Sequence, residues 1–191
     1  MVKSKVVFNH MATPWGRADY VEEIQPFLGV VGTAGHGGVK VSEEYNNKIP
    51  ESVRNQSGWY EEDCEWCIPY LFLREFLFDK QYPEAHDCFK NWYWKQYEEI
   101  FETILSPEES FLKAEYIWKS QNAGKWHIIC AQRLENGDVK LTLTVDGKRE
   151  GFISKFEEKE VVMSKEDYKR SLSFGNKAAF TDEELIILRK Y

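Results

Sequence analysis

The chain has 191 residues and a mass of 22.5 kDa, with 25 lysines and arginines against 32 aspartates and glutamates, a formal net charge of −7. A 42% hydrophobic and 15% aromatic content excludes a disordered chain, and no apolar run approaches the roughly 20 residues of a membrane span. The acidic balance speaks against direct contact with nucleic acid, whose phosphates attract a basic surface, and favours basic protein partners. The opening residues, Met1–Gly16, lack the apolar stretch and cleavage site of a signal peptide, so a cytoplasmic protein without membrane contact is expected.

In chain order, residues 2–8 are expected as a first strand. Thr13-Pro14-Trp15-Gly16 signals a turn, because proline fixes φ and glycine relaxes it. Two short strands follow, Ala18–Ile24 and Phe27–Thr33, divided by Gln25-Pro26. Gly32–Gly38 holds four glycines among seven residues and reads as a loop before a strand at Val39–Val41. Ser42, followed by Glu43 and Glu44, reads as the cap of a short helix that Ile49-Pro50 ends.

The middle of the chain reads as helical. Trp59–Cys67 is expected to open one helix, with Pro69 kinking or restarting it and Tyr70–Phe78 continuing. Tyr82-Pro83-Glu84 starts the next. Its residues Phe89, Trp92, Tyr93, Tyr97, Ile100, Phe101 and Ile104 recur at three and four positions, which predicts one inward face. Trp92 and Trp94 stand two apart, so they do not share that face. Ser106-Pro107-Glu108-Glu109 is a fresh cap before a helix at Phe111–Lys119.

The last third changes period. Trp126–Gln132 and Val139–Val145 flank Asn136-Gly137, a strong hairpin signal. Asp146-Gly147 marks a second turn, before Gly151–Phe156. A strand at Val161–Met163, a helix at Ser164–Arg170 and a terminal helix at Asp182–Lys190 complete the chain. The expected class is α+β: antiparallel strands in the N- and C-terminal thirds of a single domain, 1–191, with a helical insertion over about 58–120.

Three segments carry residue types that packing alone does not require. In the first, Thr13 and Trp15 are candidate ligand contacts; in the second, Gly37 and Gly38; in the third, Trp59. Trp66 joins Trp15 and Trp59 as a possible pocket wall, although aromatic side chains more commonly fill cores. His36 stands among glycines that let the backbone turn freely and approach a ligand, and an imidazole there offers an acid or base near neutral pH. The loop is not a phosphate-binding P-loop, because the lysine and hydroxyl of that motif are missing. Glu61, Glu62, Asp63 and Glu65 form an acidic cluster. On a helix, Glu61 and Glu65 share a face and suit Mg²⁺, while the plainer role is to favour the helix start. The catalytic candidates are His36, Glu62, Asp63 and Cys64, the last with a thiol pKa lowered by a helix start.

The four cysteines are expected as reduced thiols, mostly buried. Cys64, Cys67, His86 and Cys88 have zinc-like spacing within each pair, but the first pair lacks the glycines of a zinc knuckle. No cofactor is expected.

Taken together, TPWG-x-A-D at Thr13–Asp19, HGG at His36–Gly38 and GWYEEDCEW at Gly58–Trp66 resemble an uncharacterised domain of bacteriophage, plasmid and integrative-element proteins. A fainter likeness lies at Phe156–Tyr168. That family carries Ser or Thr where this chain has Gly35, and it does not require Cys67, which counts against zinc. The resemblance implies a mobile-genetic-element setting. By analogy with small acidic proteins of such elements, it implies a protein that binds and blocks a host protein or defence complex, restriction or CRISPR among them. The alternative is a small enzyme or ligand-binding protein with its site around His36 and Glu61–Cys64.

Overall fold

Gly16, at φ 121°, turns β1 (Ala12–Thr13) back onto β2 (Gly16–Arg17), as the proline–glycine signal predicts. In this computed structural model residues 12–77, 82–149 and 156–188 are described; the strand expected at 2–8 and most of that at 151–156 lie outside them. The fold is α+β, with antiparallel sheets toward both ends and helices between them. The chain divides into two compact units, Met1–Lys113 and Ala114–Tyr191.

In the first unit, β3 (Tyr20–Gln25), β4 (Leu28–Gly32), β5 (Gly37–Val41) and β6 (Trp59–Glu61) form one sheet in that order. The strand β6 corrects the helix expected over Trp59–Cys67. Gly58, at φ 69°, releases the chain into a ladder that places Tyr60 opposite Val39 and Trp59 opposite Lys40. Two aromatic residues pack well on a pleated surface, and tertiary pairing overrides the helical signal of the acids that follow. The helix α2 (Cys67–Phe72) starts only after a turn, with Pro69 in its first turn where a missing N–H is harmless.

Ser42 does not cap α1 (Glu43–Asn46) with its side chain: its hydroxyl is buried without a partner, and its carbonyl accepts from Asn46 N at 2.8 Å. The long helix expected after Tyr82 is two, α3 (Tyr82–Trp92) and α4 (Trp94–Ile100), broken at Tyr93 with ψ 37°. The break separates Trp92 from Trp94. Phe89, Tyr93, Tyr97 and Ile100 turn inward, whereas Trp92, Phe101 and Ile104 are exposed. Ser106 and Glu109 form the expected capping box, and α5 (Phe111–Gln121) follows.

The core of this unit lies under the inner face of the sheet. Leu28, Val39, Val41, Ile49, Tyr60, Ile68 and Leu71 pack with Phe89, whose ring is flanked by Phe72 and Tyr93 at 5.4 and 5.3 Å. Each such side chain contributes about 1.5–3 kcal/mol by leaving water. The Tyr60 hydroxyl donates to Asn46 Oδ1 at 2.6 Å and accepts from Asn55 N at 3.3 Å; burial pushes its pKa up to about 12.

In the second unit, β7 (Trp126–Arg133), β8 (Val139–Val145), β9 (Glu158–Met163) and β10 (Ala179–Phe180) form a sheet in the order β10-β7-β8-β9. The Asn136-Gly137 hairpin forms where expected, and β7 bulges between Ile128 and Cys130. Ser164 caps α6 (Lys165–Ser171) through Asp167 N. Leu141, Leu143, Val161, Phe180 and Leu185 of α7 (Asp182–Leu188) fill this core with Trp126, whose indole N–H donates to Asp182 Oδ1 at 3.0 Å. Among the described residues no helix is long and apolar enough to cross a membrane.

Candidate functional site

The hairpin of β4 and β5 closes through Thr33–His36. Thr33 N and Thr33 Oγ1 each donate to His36 O at 2.7 Å, and His36 N donates back to Thr33 Oγ1 at 3.2 Å. The backbone of His36 is thereby held while its side chain stays exposed.

Among the described residues, no glycine from Gly32 to Gly38 has positive φ, so free turning is not their role. Gly37 and Gly38 are buried strand residues. A Cβ on Gly37 would meet the Glu62 carboxylate and, at 2.8 Å, Val31 O; on Gly38 it would meet the Trp15 indole and Tyr60 O. These positions are glycine because side chains from two other segments lie directly on the strand. Trp15 in turn meets Trp59 edge to face, with centroids 5.7 Å apart, and Lys40 Nζ stands 5.1 Å over the Trp59 ring. With Val21 and Val31 they cover the outer face of the sheet, opposite the main core.

The three segments therefore meet. A ligand atom from each of His36, Glu61 and Glu62 lies within 4.8 Å of the other two. Adjacent residues in a strand point to opposite faces, but β6 ends at Glu61, and the turn beyond it lets Glu62 come round to the same place. That turn is built by the acids themselves. Glu61 Oε2 accepts from Asp63 N at 2.7 Å and Cys64 N at 3.3 Å, and Glu65 Oε2 accepts from Glu61 N at 3.1 Å. Glu61 Oε1 is buried without a hydrogen-bond partner. Beside the cluster a shallow cleft of about 240 Å³ is lined by Val30, Gly38, Val39, Glu62, Trp66 and Tyr70. Trp66 and Tyr70 meet edge to face there, and burial raises the Tyr70 pKa.

Other candidates stand elsewhere. Asp63 is exposed, and neither it nor Cys64 belongs to the His36 cluster. The Cys64 thiol pKa is raised, not lowered: burial dominates and the charges of Glu61 and Glu65 add to it, against a hydrogen bond with Tyr93. No helix starts at Cys64 to reverse this. The Thr13 hydroxyl is used within its own turn, donating to Gly16 O at 2.8 Å and accepting from Trp15 N at 3.1 Å. The pairing of Glu61 with Glu65 as cation ligands does not form, since Glu65 closes the turn.

All four cysteines are free thiols. Cys67 is buried, and its single proton serves Cys64 O, at 3.0 Å, or the Cys88 sulfur. The hydrogen bond between the two thiols raises the Cys67 pKa and lowers that of Cys88. His86 lies two positions before Cys88 on α3, so its ring points away, to the Tyr97 hydroxyl at 3.1 Å. Cys64, Cys67, His86 and Cys88 thus do not form one ligand set among the described residues.

Residues 9–123, which contain every segment of this site, match the model of a domain of unknown function, DUF7007. No curated protein and no solved structure matches the chain.

Proposed function

The chain belongs to the DUF7007 family, and from that premise we propose that it acts through a ligand-binding or catalytic centre at the His36 turn. One observation carries this reading: an imidazole from one segment and two carboxylates from another gather within 4.8 Å beside an open, aromatic-walled cleft. Such a centre holds groups that take up and release protons, next to an apolar surface that orients a small molecule. A fragment screen followed by amide NMR shifts tests it. Fragments should move the signals of Gly37, Gly38, Glu62, Trp66 and Tyr70, and H36A and E62Q should remove those shifts. Fragments that gather elsewhere, or none at all, overturn the reading.

A second reading rests on another surface. In the second unit Val162 and Ile187 line a groove of about 690 Å³ together with Asp138, Glu160 and Asp167. Val162 and Ile187 are about half exposed, and acids around apolar side chains suit a basic protein partner. In this reading the chain is a phage or mobile-element protein that binds and blocks a host defence complex, without contacting nucleic acid. Its expression should protect incoming DNA from restriction or CRISPR interference, and V162E or I187E should abolish that protection. Interference left intact by the wild-type chain, or protection that survives both substitutions, removes it.

A further inference from the structure

We propose that His36, Glu61 and Glu62 bind a divalent first-row transition ion, with water on its remaining positions. The inference deepens the ligand-binding reading and rests on it.

Charge comes first. Two carboxylates stand within 4.8 Å, and among the described residues no lysine or arginine pairs with either. Like charges at that distance repel, weakly in water and several times more strongly at a protein surface. Glu61 cannot swing away, because its Oε2 closes the turn onto Asp63 N and Cys64 N. The Glu62 carboxylate lies over Gly37, while its backbone N–H donates to Gly37 O at 3.1 Å. The two carboxylates thus stand together without a lysine or arginine beside them among the described residues.

The second observation is independent of the clustering. Glu61 Oε1 is buried and accepts no hydrogen bond. A buried carboxylate oxygen left in this state is costly, and folded proteins rarely keep one unused. In the proposed site this oxygen is the Glu61 ligand to the ion.

Geometry and donor chemistry then select the ion. Metal–ligand bonds of about 2.1 Å put two ligands of one ion about 3–4.2 Å apart, so 4.8 Å requires only small torsional changes. His36 and Glu62 are exposed and free to make them. Mg²⁺ prefers an all-oxygen, water-rich shell, whereas one imidazole with two carboxylates suits Mn²⁺, Fe²⁺ or Zn²⁺. Three protein ligands leave positions open, and the cleft walled by Trp66 and Tyr70 lies beside Glu62, where a small ligand would reach the ion.

The test uses the full chain freed of metal by a chelator. Titration with MnCl₂, followed by the electron paramagnetic resonance of free Mn²⁺, should show one site per chain. ZnCl₂ should displace the ion and MgCl₂ should not. H36A and E62Q should each weaken Mn²⁺ at least about tenfold, whereas E51Q, an exposed acid away from the cluster, leaves it unchanged. Circular dichroism checks that each variant folds, and paramagnetic broadening should centre on Gly37, Gly38 and Trp66. No binding up to about 1 mM, unchanged affinity in both variants, or broadening centred elsewhere overturns the proposal. If no ion binds while fragments still occupy the cleft, the metal falls and the ligand-binding reading stands. Loss of both removes the site.

Discussion

Among the described residues, glycine lies inside strands of the first four-stranded sheet but only at turns in the second unit. In the first unit Gly37 and Gly38 lie within a strand and are covered by Glu62 and Trp15. In the second, Gly124, Gly137 and Gly175 have positive φ and meet nothing within 4 Å of where a side chain would stand. One use admits a neighbour to the backbone; the other bends the chain. A glycine inside a strand therefore points to what lies above it, and here that is the candidate site.

The cores beneath the sheets should respond alike, and this sets the scale. Phe89→Ala in the first unit is expected to cost about 3–5 kcal/mol, and Leu141→Ala in the second about 2–5 kcal/mol, read by urea denaturation. The glycines should then part company. Gly38→Ala drives a methyl into the Trp15 indole and Tyr60 O, at about 1–3 kcal/mol. Gly137→Ala meets no atom and loses roughly 1–2 kcal/mol through backbone strain alone. The sharper discriminator is a double-mutant cycle. Trp15→Ala should offset part of the Gly38→Ala loss, with a coupling of about 0.5–3 kcal/mol. A coupling of zero would erase the distinction between the sheets.

Tyr60→Phe ranks next, at about 1–2 kcal/mol, because it orphans Asn46 Oδ1 inside the first core. The smallest effects are electrostatic and should be similar in both units. The Lys113 ammonium holds Glu98 below its usual pKa, and Lys159 does the same for Asp182. Each folded value lies below the unfolded one, so the stabilisation is present above the ordinary carboxylate range and is lost as pH falls through the folded value. E98Q and D182N should therefore weaken the fold slightly at pH 7 and become silent well below about pH 4. An effect that persists in acid would mean the side chain matters for its shape, not its charge.

Much of the second sheet was legible because its signals are local. Asn136-Gly137 and Asp146-Gly147 bend the chain where they stand, and alternation in Val139–Val145 marks its buried face. The same reasoning failed at Trp59–Glu61. Acids after an aromatic pair look like a helix start, yet Tyr60 is bound into a ladder with Val39, a residue far back in the chain. That error also hides the approach of His36, Glu61 and Glu62. On a helix Glu61 and Glu62 diverge and Glu61 and Glu65 align, so a helical reading pairs Glu61 with Glu65. The strand end and turn bring adjacent acids together and assign Glu65 to the turn instead. His36 stands out in the sequence as an imidazole among glycines, but those glycines admit close neighbours rather than letting the chain turn freely.

From the order of residues alone came the α+β class, the turn at Pro14–Gly16, the caps at Ser106 and Ser164, and the three unusual segments. These depend on interactions within a few positions, which a linear pattern records. The division into two cores, the break at Tyr93, the close approaches over Gly37 and Gly38, and the meeting of His36 with Glu61 and Glu62 were decided by tertiary structure. Each requires residues distant in sequence to share space, and no local spacing encodes which of them will be neighbours.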